Sequence, residues 1–563
     1  MCDVPTTRWG DHDGRGRRLG QRILPNPGLR QFMGDDPHRS DSSGRCPVTD
    51  GINVAQTFAE LWRESVTAHS ESTFLLFQEE DGHTAQWTYA EFDRVVAGTA
   101  AFLKSRGVRR NDAIHVCLRN CPAFIALWLA ASRIGAWIVP VDPASTVRDI
   151  SNQISRVRPA IGICAEARRD VYADGAGGDV EFVALRETHA DLDDSPLLAV
   201  GTTPSAQVTP AATDRLAVMF TSGTTSQPKG VVLTQRNYAH VAQVMSACVG
   251  LQPHHRWLVT LPLFHANAQY YCFAPAIAVG ASVALTARFS ASQWVRQARD
   301  LSATHASLFA APIRMILART APDTEPVSLQ HVWFAQSLGA EHHRAFSELA
   351  GCHPRQLYGM TETVSIVTAD DSEPPTYDLI GRAVEGRRVR LIDPVTEDDV
   401  APGEIGMIAV AGTRGGDLFS EYLDDPITTG RSFITIDAQL WFKTGDLAVA
   451  TPSGALRFVG RADDVIKVAG ENVSLTEIEA TVSQAPGVLE AAVVSRPDPI
   501  RDQVPVAYVV PRRKDEPPAL DALVSWAERQ LPPQARPREW HFIDELPRTS
   551  VGKIRRFAIP TTP

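Results

Sequence analysis

Apolar side chains in this chain fall into short strand-like runs separated by segments of helical period. The first 50 residues are the exception. Residues 1–50 are rich in Gly, Asp, Arg, Ser and Pro and carry few large apolar groups. Such a segment buries too little surface to offset its ordering entropy, so it reads as a flexible extension. From Asn53 the pattern changes. FAELWRESV puts Phe58, Leu61, Trp62 and Val66 on one helical face. Trp87–Val108 reads as a strand end, a helix and a stop at Gly107. Ala113–Asn120 then predicts a buried strand, Cys121–Gly135 a helix and Ala136–Val141 another strand. Strand–helix–strand order at short spacing marks parallel α/β units. The alternation returns at Leu216–Thr221, Trp257–Leu261, Ala281–Leu285 and His331–Ala335, and no short-period repeat appears.

After about Gly460 the elements shorten. DVIKVAGENV is followed by a helix, SLTEIEATVSQA. VLEAAVVSRP and VPVAYVVP then alternate like paired strands, and LDALVSWAERQL is a further helix. The expected fold class is α/β: a large, multi-subdomain N-terminal α/β domain over 51–460 and a small C-terminal α+β domain over 461–563.

Composition narrows the function. Apolar content of 44% and charged content of 21% are those of a soluble globular protein. A net charge of −10 argues against a nucleic-acid partner. The eight cysteines are scattered, with no CxxC pair, as expected of reduced core residues in a cytoplasmic protein. The longest apolar stretch, Phe124–Val141, is interrupted by Ser132 and Arg133 and does not read as a membrane span. Gly16-Arg17-Arg18 has no apolar run behind it, so no signal segment is read there.

The candidate chemistry begins at TSGTTSQPKGV, Thr221–Val231. Thr221, Ser222, Thr224 and Thr225 supply hydroxyls around Gly223, and Lys229 supplies a point charge. Glycines let successive N–H groups turn onto an anion, and hydroxyls add donors. Such a loop suits the β- and γ-phosphates of ATP. It is not a Walker loop, because Lys229 is followed by Gly230 and a strand-like VVL rather than by Ser or Thr at a helix start. A plain polar turn is the bland alternative. The order TSGTT-x-x-PKG resembles the signature of the adenylate-forming superfamily of acyl-CoA synthetases, adenylation domains and luciferases. Ser226 stands where that family usually has glycine.

The resemblance extends over roughly residues 55–557, and further motifs follow in the family's order. SLGA, with Gly339 and Ala340, lies where relatives have a turn lining the adenine; Leu338 departs from it. YGMTET resembles the second nucleotide motif. It implies Tyr358 stacked on adenine, Thr361 at the α-phosphate and Glu362 as a Mg²⁺ ligand. FKTGDLA implies Asp446 on the ribose hydroxyls, with a Gly-Asp turn between strands as the plain structural alternative. GRADDVIKVAGENV implies Arg461 as a second ribose contact, Asp463 as the domain hinge and Gly470 beside a pantetheine tunnel. PRTSVGKIRR implies Lys553 as the catalytic lysine; a basic solvated tail is the alternative.

LPLFHANAQYYCF sorts among the family's branches. The residues after Phe264 are His265, Ala266 and Asn267, with no aspartate to hold a substrate ammonium, which argues against an α-amino acid. The resemblance makes His265 a gate over the acyl site. Candidate pocket residues by analogy are Asn267, Tyr270, Tyr271, Phe309, Trp333 and Gln336. Their mix of aromatic and amide groups suits a short polar or aromatic acid. The chain looks like bacterial ligases for carnitine-like, short- to medium-chain or aryl acids. It implies ATP, Mg²⁺ and coenzyme A, with a carrier protein in trans or another nucleophile as the alternative acceptor. The oligomeric state stays open.

Overall fold

The computed structural model describes residues 56–192, 197, 209–221, 228–469, 471–548 and 554–559. The extension expected over residues 1–50 lies outside them. Two open sheets dominate the large N-terminal part. The first runs, in spatial order, Glu421–Tyr422, Lys229–Thr234, Arg215–Thr221, Trp137–Pro140, Ala113–Cys117, Ile161–Ala165 and Phe182–Leu185. Its last five strands are parallel, and the Lys229–Thr234 and Glu421–Tyr422 strands are antiparallel additions. The second sheet has nine strands. Six of them, from Arg355–Tyr358 through His331–Ala335, His305–Phe309, Arg256–Val259 and Ser282–Thr286 to Thr73–Gln78, are parallel.

The helix Pro122–Ile134 explains the long apolar stretch. Every residue of it except Arg133 is buried, and it joins inner residues of both sheets in one core cluster. An all-round apolar helix belongs in the centre of a large domain. Pro122 occupies its first turn, where no N–H is needed, and Gly135 ends it at φ 71°. Thr57, Thr88, Thr146 and Thr234 cap later or earlier helices through reciprocal bonds with Glu60, Glu91, Asp149 and Asn237. Each such cap contributes about 1 kcal/mol. No helix among the described residues is long and apolar enough to cross a membrane.

A third sheet is antiparallel, an arrangement the sequence pattern did not announce. The twelve-residue strand Gln439–Ala450 pairs with Ile405–Ala411, Phe433–Ile436 and Leu456–Arg461. Beyond it comes the small C-terminal α+β domain. Val465–Val468 and Glu471–Ser474 form a hairpin, Val488–Asp498 and Asp502–Pro511 pair antiparallel, and the helices Leu475–Val482 and Leu520–Gln530 help fill its core.

Candidate active site

Three of the predicted site residues, Thr221, Phe309 and Tyr358, close parallel strands at their carboxyl ends, where open α/β sheets place their ligands. Thr221 ends the Arg215–Thr221 strand and Lys229 begins the next, with the two in register. A strand after Lys229, not a helix, is what the non-Walker reading expects. Ser222, Gly223, Thr224 and Thr225 lie outside the described residues. Lys229 Nζ sits 5.1 Å from the centroid of the Tyr422 ring.

Tyr358 closes the Arg355–Tyr358 strand, and Thr361–Thr363 form one 3₁₀ turn just beyond it. The Tyr358 hydroxyl donates to Asp446 Oδ2 at 2.8 Å, and Arg461 Nη1 donates to Asp446 Oδ1 at 3.2 Å. Burial, and then the Asp446 charge, holds the Tyr358 hydroxyl well above its ordinary value, so it remains a donor. Burial alone would lower the Arg461 guanidinium, but Asp446, followed by Asp463, Tyr358 and Glu362, raises it. Arg461 Nε remains buried without a partner.

Asp446 is not on a turn between strands. It lies inside Gln439–Ala450, where three residues, 444–446, face Ile408 alone on the neighbouring strand. Gly445 makes this bulge possible at φ 76°, and a Cβ there would come within 3.1 Å of Arg461 Nη2. Bulges re-aim side chains beside active sites. Here Thr444 Oγ1 donates to the Ile408 carbonyl and accepts from the Asp446 N–H, fixing the new direction.

Glu362 is 5% exposed, and its Oε1 accepts from the Tyr422 hydroxyl at 3.0 Å. Burial raises its carboxyl above the ordinary value; the Tyr422 bond and the charges of Arg461 and Lys229 pull it back. A buried carboxylate facing two cations suits a site for a triphosphate and a hard divalent cation. Sequence reasoning missed Tyr422 and Arg387. Arg387 donates from Nη2 to the Thr363 carbonyl and Ser365 Oγ, and from Nη1 to the Asp417 carbonyl. No local motif signals either residue.

Gly339 starts the Ala340–Ala350 helix at φ 86°, and a Cβ there would come 3.2 Å from Gln484 Cγ. The SLGA turn therefore lies against Gln484 of the small domain. Asp463 is exposed in the 3₁₀ turn Ala462–Asp464. Gly470 and Lys553 lie outside the described residues. The flanks of Lys553 are anchored: Arg548 bridges to Ile554 and pairs with Glu490, while Arg556 reaches Asp464 at 2.8 Å and Glu479 at 3.0 Å.

On the acid side, the half-buried His265 donates its N–H to the Pro262 carbonyl and its ring lies 4.6 Å from Phe264. Asn267, Tyr270 and Tyr271 are buried on a π-helix, Asn267–Phe273, a geometry frequent at functional sites. A Cβ at Gly359 would meet the Tyr271 hydroxyl at 2.9 Å, so this helix abuts the nucleotide motif. Phe309 ends its strand half-buried, and Trp333 is 2% exposed within the next. Gln336 is exposed at φ 75°, so its side chain does not join the buried group.

The profile of AMP-binding enzymes matches residues 62–423, and that of the AMP-binding enzyme C-terminal domain matches 477–553. Crotonobetaine/carnitine–CoA ligase from Salmonella paratyphi A is 28% identical over 510 residues, covering 89% of this chain and 98% of the relative. Among solved structures, ATP-bound MatB from Rhodopseudomonas palustris is similar with a TM-score of 0.78 at 24% identity, over 89% of this chain and 97% of that one. A benzoate CoA ligase from Burkholderia xenovorans LB400 reaches 0.76 at 22% identity, over 89% and 99%. The structural likenesses establish the fold, and the profile match over most of the chain establishes the lineage. The chain belongs to the AMP-binding enzyme family.

Proposed function

We propose that this enzyme activates a carboxylic acid, not an α-amino acid, as an acyl-adenylate with release of pyrophosphate, and then passes the acyl group to the thiol of coenzyme A, releasing AMP. The observation that carries the reading is the Tyr358–Asp446–Arg461 cluster beside Glu362, Tyr422 and Lys229, in a chain of the AMP-binding family. The Asp446 carboxylate accepts from both ribose hydroxyls. Arg461 and the Tyr358 hydroxyl hold that carboxylate in place, and the Tyr358 ring flanks the adenine with Gly339 and Ala340. The loop from Thr221 to Lys229, including Ser222, Gly223, Thr224 and Thr225, cradles the β- and γ-phosphates, and Thr361 donates to the α-phosphate. Glu362 would hold Mg²⁺, which neutralises triphosphate charge when bound. Lys553 bridges the attacking carboxylate and the α-phosphate as charge develops, a preorganised contact worth about 10²–10³ in rate.

The second step uses a domain rotation about Asp463, with the chain divided at 460/461. His265 moves aside for the thiol, and Gly470 leaves room for the pantetheine arm. The names of the relatives favour coenzyme A over a separate carrier protein, and small polar or aryl acids over long fatty ones. A reducing cytoplasm fits Cys117 and Cys164, register partners on neighbouring strands that are both free thiols. The test is acid-dependent pyrophosphate release, followed by mass detection of the thioester formed with coenzyme A or with carrier proteins. Acyl-CoA formation is expected; pyrophosphate release with acyl transfer only to a carrier protein would overturn the acceptor.

A further inference from the structure

Several polar atoms on the acid side have no hydrogen-bond partner. Along His305–Phe309, Ala306 and Leu308 belong to the core cluster on one face of the sheet, as do Val332 and Phe334 on the adjacent strand. Alternation turns Ser307 to the opposite face, where Trp333 shares a core with Tyr270. Ser307 and Trp333 are register partners and stand side by side. The π-helix Asn267–Phe273 packs against the strands Arg256–Val259 and His305–Phe309. On these elements Ser307 Oγ, Trp333 Nε1, Asn267 Oδ1 and the Tyr270 hydroxyl are all buried without a hydrogen-bond partner. Their residues are 3%, 2%, 6% and 0% exposed. Folded proteins leave few such atoms, because each loses its hydration and gains nothing in exchange. Four of them lie on adjoining elements.

Their chemistry limits the ligand. The Trp333 N–H can only donate, the two hydroxyls donate or accept, and Asn267 Oδ1 accepts. Neither the π-helix nor the rows Ser307–Trp333 and Phe309–Ala335 contain a charged residue. The nearest charges, Arg387 beside Tyr271 and Glu362 beside Tyr270, are already held by Thr363, Ser365 and Asp417 and by Tyr422, so a second carboxylate would be buried there without a counter-charge of its own. A quaternary ammonium has no lone pair to offer the donors. The Ser307–Trp333 row lies two residues below Phe309–Ala335 at the strands' carboxyl ends, a depth of about 7 Å.

Resting on the reading that the enzyme adenylates an acid, we infer that Ser307, Trp333, Asn267 and Tyr270 recognise an uncharged hydroxyl or carbonyl group that the acid carries roughly 7 Å from its carboxylate. The group accepts from the indole N–H and a hydroxyl; where it is itself a hydroxyl, it also donates to Asn267.

The test pairs acids that differ only in that group: benzoate with para-hydroxybenzoate, and hexanoate with ω-hydroxyhexanoate. Adipate and an ω-trimethylammonio hexanoate serve as charged controls. Within each pair kcat/KM for pyrophosphate release is expected to be about tenfold or more higher for the neutral polar acid, with the charged controls poorest. In Trp333→Phe and Ser307→Ala, KM for the polar acid rises and the ratio within each pair falls toward one. Turnover of the unsubstituted acids equal to that of their polar partners would overturn the recognition site while leaving adenylation intact. Thermal shift without nucleotide separates the two claims. Para-hydroxybenzoate is expected to raise the Tm of the unaltered enzyme more than benzoate does, and Trp333→Phe to lose that difference. That pattern without pyrophosphate release from any acid would overturn adenylation and keep the recognition site. Absence of both would overturn both.

Discussion

The proposed nucleotide side and the proposed acid side of this site are built on opposite principles. On the nucleotide side, Asp446 is met by Tyr358 and Arg461, and Glu362 is met by Tyr422. On the acid side, Ser307, Trp333, Asn267 and Tyr270 each present a buried polar atom with no partner. A self-paired charge cluster is preorganised: its geometry is set before the ligand arrives, which suits a nucleotide common to every turnover. An unpaired lining gains its bonds only when the matching acid enters, which suits discrimination between acids. The difference assigns binding of a constant substrate to one side and choice among acids to the other.

The largest expected effect comes from breaking the paired side. Asp446→Asn removes the charge that the Tyr358 hydroxyl and the partly exposed Arg461 guanidinium both meet. A fall of roughly 10–10² in kcat/KM for ATP is expected from losing such charge-assisted hydrogen bonds, with the ranking of acids unchanged. Altered acid ranking with intact ATP kinetics would dissolve the comparison.

A smaller effect sharpens the unpaired side. One register row below Ser307 and Trp333 lie His305 and His331, with Trp257 beside His305. The His305 ring also meets His255, which in turn lies against His254. Burial, followed by the neighbouring His255 and His254, pushes His305 from 6.5 down to about 3. The unfolded chain therefore binds more protons than the folded one between those values. Stability is full above 6.5 and is lost as pH falls through that window. For this histidine the loss is about 2 kcal/mol at pH 5. Urea unfolding of His305→Gln should show a pH slope flatter by one proton below 6.5. An unchanged slope would mean that this row is hydrated in the folded protein.

Much of the large domain could be read from periodicity. The Pro122–Ile134 helix, the parallel strands around it and the paired strands of the small domain all appear where the apolar pattern puts them. The third sheet was not legible. Its defining residue, Asp446, sits on a glycine bulge, and a Gly-Asp pair is as compatible with a turn. The strands Thr368–Ala369 and Glu421–Tyr422 have two residues each, too few to show alternation. NAQYYCF carries no mark that distinguishes a π-helix from an α-helix, because the difference lies in one extra residue per turn.

Within the site, the motifs pointed to Tyr358, Glu362, Asp446 and Arg461, and the fold brings together residues as far apart as Tyr358 and Arg461. Tyr422 and Arg387 were not legible, since each acts through a contact made only after folding. Gln336 shows the reverse case. Analogy put it in the pocket with Asn267, Tyr270 and Trp333, and it is exposed at φ 75° where they are buried.

The central claim is that one active site runs two half-reactions, with Lys553 serving the first. The most direct measurement compares them in Lys553→Ala: acid-dependent pyrophosphate exchange for adenylation, and thioester formation from a supplied acyl-adenylate and coenzyme A. The account predicts that exchange falls by about 10²–10³ or more while thioester formation is largely retained. Equal loss of both half-reactions would contradict it.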